Sequence, residues 1–268
     1  SIPVPASDSA ELVAQVHDMG GLVAYNHPFG SSKATVAPAE LTQLVNKTAS
    51  MLVTQGALGC DALEVGYRNR GGSNLEGHER IWDACSRSAV FLTGIGTSDN
   101  HTGADWDTAE NNFVTWIWSK GRTGTDVLHA LASGHVYFGD PVLFSGSLDL
   151  LSSSGARMGQ VAVSTDHGST LTVLAADLPG DTQVELLGLA MDPSRDAGAP
   201  QDNDYTRVTI PASDFSDGRA DVAIESTIST MYRTIVVDSS GQTIALSNPI
   251  WLLTEEPAEP IPESRRVS

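Results

Sequence analysis

The chain has 268 residues, enough to bury the core of one large domain or two ordinary ones. Its formal net charge is −18, with three lysines (Lys33, Lys47 and Lys120), a balance that argues against a nucleic-acid backbone or an anionic membrane surface as partner. No apolar run approaches the length of a bilayer span, and Cys60 and Cys85 lack the CxxC spacing of a structural zinc knuckle, which leaves one disulfide or two separate thiols.

The chain opens on Ser1 without a signal peptide, which reads as a processed or truncated product. Asp8 and Glu11 form a capping-box-like start to a first helix, with Leu12, Val13 and Val16 on one face and Gly20 as its stop. A strand over 21–26 follows and ends at His27-Pro28. The next helix opens at Pro38, carries Leu41, Leu44, Val45, Thr48 and Leu52 on one stripe, and ends at Gly56. Residues 61–67 read as strand, 75–88 as helix and 89–95 as strand, an alternation that predicts a parallel sheet or barrel. A further strand is expected over 112–118 and a helix over 124–133 stopped by Gly134, with Val127, Leu128 and Leu131 inward and His129 exposed.

After Gly139-Asp-Pro141 the helical period disappears. About eight short apolar or alternating runs between residues 148 and 252, separated by Gly-, Asp- and Ser-rich turns such as 238–241, predict a β-sandwich. The domain expectation is therefore 1–141 for the α/β part, 142–254 for the all-β part and 255–268 for a Pro/Glu-rich tail, a linker or disordered end.

Two strand ends carry ligand-type residues: His27 after the strand over 21–26, and Asp99 with His101 in Gly94-Ile-Gly-Thr-Ser-Asp-Asn-His101. A carboxylate and imidazoles at the C-terminal ends of strands are what a metal site looks like in sequence, whereas each residue alone also suits an ordinary loop. Arg68 and Arg70, just beyond the strand ending at Tyr67, suit either a phosphate contact or a solvated loop. Glu64 alternates with Leu63 and Val65 and so faces the opposite side of its strand, toward the mouth of the site. His78 reads as a surface residue, and His135 and His167 as turn residues. Asp192, Asp196, Asp202 and Asp204 lack EF-hand spacing and read as a solvated loop. Asn46-Lys-Thr48 fits a glycosylation sequon but falls inside an expected helix. There is no nucleophile elbow or P-loop.

Gly20 to Pro28, the 94–101 motif, the strand Asp61 to Tyr67, the segment Thr125 to Tyr137, and Arg233 through Asn248-Pro-Ile-Trp251 together resemble the PHP (polymerase and histidinol phosphatase) superfamily of metal-dependent phosphoesterases, in particular secreted or multidomain members with an appended β domain. The resemblance implies an α/β fold, a distorted β/α barrel followed by a β-sandwich, and an extracellular or cell-surface setting. It implies His27, Asp99 and His101 as ligands of a cluster of two or three Zn, Mn or Fe ions, with Glu64 lining the pocket and a phosphorylated small molecule as substrate. The family's opening His-x-His is absent, so the chain is expected to supply the C-terminal part of an incomplete barrel, completed by an N-terminal segment of the same precursor or by another chain. The alternative is a non-catalytic binding or surface-assembly protein on the same scaffold.

Overall fold

The computed structural model describes residues 6–31, 36–70, 72–101, 113–165, 170–192, 194–195, 198–215, 217–224 and 227–267. The first half runs α1 (Ala6–Asp18), β1 (Ala24–Tyr25), α2 (Pro38–Thr54), β2 (Ala62–Gly66), β3 (Asn69–Arg70), β4 (Ser73–Asn74), α3 (Leu75–Arg87), β5 (Thr93–Gly96), β6 (Val114–Ile117), α4 (Gly124–Ala132) and β7 (Val136–Gly139). The second continues β8 (Ser147–Ser152), β9 (Val161–Val163), β10 (Thr170–Ala176), β11 (Gln183–Ala190), β12 (Tyr205–Pro211), β13 (Arg219–Ala223), β14 (Thr230–Val237), β15 (Thr243–Ser247) and β16 (Ile250–Leu253). This is a mixed α/β fold, as the alternation of the first half required.

Three parallel strands, in the order β1-β2-β5, form a small sheet with Leu63 opposite Tyr25 and Gly94. Leu63 and Val65 pack with Val45, Ala49 and Leu52 of α2 and with Ile81, Trp82 and Cys85 of α3. Gly94 is required at its position: a Cβ there would stand 2.5 Å from the Trp82 indole, whose Nε1 donates to the Leu92 carbonyl at 3.0 Å. The expected strand over 21–26 contracts to Ala24–Tyr25, and among the described residues no strand pairs with the outer edge of β1. These three strands close no barrel among the described residues.

The division at residue 141 does not hold. β6 and β7 belong to a sheet of eight strands, in which β7 pairs with β15 (Phe138 opposite Leu246) and β6 with β7 (Trp116 opposite Tyr137). The reason lies in the strand period: Phe113 and Phe138 face the core shared with the parallel sheet, while Trp116 and Tyr137 point to the opposite face. That opposite face meets the sheet β13-β10-β8 around Leu150, Val173, Val184 and Val236. β15 and β16 are separated by buried Asn248. Its side chain accepts from the Gly94 amide (2.7 Å) and donates to the carbonyls of Gly94 (2.9 Å) and Val136 (2.8 Å), stitching the parallel sheet to the large one.

The tail is also not a free linker in its described part. Ile261 and Arg265 are buried, and the Arg265 guanidinium lies over Trp251 and donates to the Gly159 carbonyl and to Thr93 Oγ1. Burial without a carboxylate partner in hydrogen-bond contact pushes its pKa down to about 10. On α4, His129 is exposed as expected, but Leu128 is exposed too, and Val127 and Leu131 are half-buried. Cys60 and Cys85 are both free thiols, pushed up by burial to about 11 and about 12 respectively.

Candidate metal centre

The order β1-β2-β5 places Glu64 on the central strand, between the segment that leaves β1 at His27 and the one that leaves β5 at Thr97. Glu64 is 1 % exposed, and its carboxylate is filled by these two neighbours. Oε2 accepts from the His27 amide at 2.6 Å and pairs with His27 Nδ1 at 2.6 Å, while Oε1 accepts from Thr97 Oγ1 at 2.6 Å. A carboxylate accepts only, so this contact makes Nδ1 the protonated nitrogen and turns the Nε2 lone pair outward.

On that outward side stands Asp99. Its Oδ1 is 3.8 Å from His27 Nε2, too long for a hydrogen bond, and 3.2 Å from His101 Nε2. His27 (φ 53°) and Asp99 (φ 49°) both hold the left-handed backbone conformation, which costs a non-glycine residue about 1–3 kcal/mol when the surroundings impose it. His101 is the most open of the three, with a side chain 73 % exposed.

The structure places His27, Asp99, His101 and Glu64 near one another, with Glu64 as the group that orients His27. Thr97, which fixes the other oxygen of Glu64, is a member of the site that motif reading missed. The signal was its place two residues before Asp99 at the end of β5. Arg68 departs from expectation: its guanidinium pairs with Asp140 and lies 5.3 Å from the centre of the Phe113 ring, so it is held against β7 instead of being offered to a phosphate. The Arg70 side chain and His167 lie outside the described residues. His78 is buried rather than exposed, bonded through Nδ1 to the Asn74 carbonyl at 2.8 Å and edge-on to Phe29. His17 pairs with Asp61 at 2.9 Å and His135 with Asp149 at 3.4 Å.

The donor set suits a divalent ion such as zinc on chemical grounds. Two atoms bound at about 2.1 Å in a tetrahedral shell stand about 3.4 Å apart, and the separations of Asp99 Oδ1 from the two imidazoles, 3.2 and 3.8 Å, lie on either side of that distance. The Glu64–His27 contact is the carboxylate–imidazole arrangement that steadies metal-binding histidines. Among the described residues, however, no three such side chains converge on one point as a ready ligand set.

No family model and no curated protein matches the chain. Among solved structures, the soluble domain of PmoD from Methylocystis sp. ATCC 49242 (Rockwell) is similar over 40 % of this chain and 90 % of its own, at 14 % identity and a TM-score of 0.27, a likeness too slight to carry an argument about fold or function.

Proposed function

We propose that this chain carries part of a divalent-metal site in a metal-dependent hydrolase of phosphate esters, on a scaffold resembling the PHP superfamily's incomplete barrel with an appended β domain. The observation that supports it is the Glu64–His27 Nδ1 contact, which leaves Nε2 of His27 directed toward Asp99. His27 and Asp99 hold the metal, His101 reaches it from the open side, and Glu64 and Thr97 hold His27 in place. A divalent ion there supplies Lewis acidity toward a phosphoryl oxygen and toward water. Arg68 has no part in binding substrate in this reading.

Among the described residues no strand pairs with the outer edge of β1 and no ligand set converges, which supports the further proposal that an N-terminal segment of the precursor, or another chain, adds strands and ligands. The second reading is a binding or assembly protein that retains the scaffold without the reaction. Joining a segment bearing His-x-His to this chain and assaying a generic phosphomonoester and phosphodiester separates the two. Metal-dependent turnover that Asp99→Ala abolishes supports the hydrolase, and no turnover with full metal occupancy supports the binding protein.

A further inference from the structure

Away from His27 and Asp99, the face of the eight-stranded sheet that packs toward α3 is not fully covered. It opens as a cleft of about 680 Å³ floored by Leu187, Ile235 and Val237, within the range of about 300–1,000 Å³ usual for ligand sites. α3 supplies one wall with Glu79 and Arg80, and β11 and β12 supply the other with Glu185 and Arg207.

At the base of the cleft sits Arg233, 1 % exposed. Its Nε and Nη2 are bonded to both oxygens of Asp83 at 2.9 and 2.7 Å, Nη2 also reaches Glu79 at 2.8 Å, and the guanidinium lies over Trp82. Nη1 is buried and has no hydrogen-bond partner among the described residues. An unpaired buried donor costs about 1–3 kcal/mol, a cost that an acceptor atom on a ligand in the cleft would remove.

The lining narrows the class of that ligand. Carboxylates and guanidiniums line the cleft in equal number, and they are already paired: Arg80 with Glu76 and Asp202, Arg207 with Glu185, Arg68 with Asp140. An anion would satisfy Arg233 yet face Glu79 and Glu185, and a cation would meet the reverse conflict. A neutral hydroxyl both accepts and donates, so neighbouring hydroxyls on one ring can take a proton from a guanidinium and give one to a carboxylate. The apolar floor offers a surface for the ring's C–H face.

We propose that this cleft binds a neutral carbohydrate, with one ring oxygen or hydroxyl accepting from Arg233 Nη1, others bonded to Glu79, Glu185 and Arg207, and its apolar face on Leu187 and Ile235. The site shares no residue with the metal centre, so it stands or falls separately from the hydrolase reading.

Two-dimensional amide NMR of the full chain, titrated with maltotriose, cellotriose, mannotriose and N-acetylchitotriose, tests it. The expected result is saturable shifts on β11, β12 and β14 with one of these sugars at concentrations up to about 10 mM. Because removing Arg233 strands Asp83 in the core, the discriminating variants are Glu185→Gln and Arg207→Gln, a pair of which Arg207 is exposed and Glu185 is partly buried. Each should weaken the affinity about fivefold or more. The proposal is overturned if no sugar shifts these strands, if the two variants bind as the parent does, or if inorganic phosphate produces the same shifts.

Discussion

The carboxylate of Glu64 takes two hydrogen bonds from one residue: the backbone nitrogen and Nδ1 of His27 each lie 2.6 Å from its Oε2. A buried carboxylate is costly unless its lone pairs are filled. Here the loop after β1 fills one oxygen and Thr97 after β5 fills the other. One side chain on the middle strand therefore sets the position of both loops that carry the metal-type residues.

Replacing Glu64 by Ala removes the acceptor for three donors at once. The variant is expected to lose about 2–4 kcal/mol of folding stability in urea and to bind Zn about 10–100-fold more weakly. The more conservative Glu64→Gln should keep most of the stability while still losing affinity, because its amide nitrogen donates and leaves one of the two sides without an acceptor. Unchanged Zn affinity in both variants would remove Glu64 from the site.

The alternation of helix and strand over the first hundred residues, and the two strand ends at His27 and Asp99, were legible because they rest on local periodicity and on residue chemistry. What was not legible depends on contacts far apart in sequence. β6 and β7 look like further members of the parallel series, and only their pairing with β15 shows that they join the large sheet. Arg68 reads as a free cation until Asp140, 72 residues on, is placed against it. The polar composition of the tail pointed to disorder, and Arg265 reverses this through carbonyls and a hydroxyl that no composition rule registers.

The pairing of Arg233 with two carboxylates leads to a pH prediction. Burial, helped by neighbouring Asp83 and Glu76 and opposed by Arg233, raises the pKa of Glu79 above its ordinary 4.5. Between those two values the folded chain holds a proton that the unfolded chain has released. The contribution of Glu79 is therefore fully present below pH 4.5 and is lost as pH rises through the raised folded value. Glu79→Gln should fall less in stability than the parent over that window, as measured by urea unfolding at successive pH values. Parallel curves for the two proteins would show that Glu79 does not titrate this way.

The C-terminal segment should act as a brace between the two sheet systems. Deleting residues 260–268 removes Ile261 and Arg265, uncovers Trp251, and leaves the Gly159 carbonyl without the guanidinium that serves it. The truncated chain is expected to unfold at lower urea, with a loss of about 3–5 kcal/mol. An unaltered midpoint would return the tail to the role of a linker.

Gly94→Ala is expected to cost more than an ordinary surface glycine change. Its Cβ would meet the Trp82 ring at 2.5 Å, and the strand cannot move without breaking the Asn248 bonds. A loss of about 1–3 kcal/mol, read from thermal or urea unfolding, follows from overpacking of this kind. A variant as stable as the parent would mean that β5 slides freely, and with it Thr97 and Asp99.

The most direct measurement of the central claim is a calorimetric titration with Zn and with Mn of four proteins: the parent, His27→Ala, Asp99→Ala and His17→Ala. His17 is the control, an imidazole paired with Asp61 outside the site. The predicted result is one binding event in the parent that His17→Ala leaves intact and that His27→Ala and Asp99→Ala each weaken at least about tenfold. Equal affinity in all four proteins, or no binding in the parent at any concentration that leaves it folded, would contradict the assignment of His27 and Asp99 to a metal.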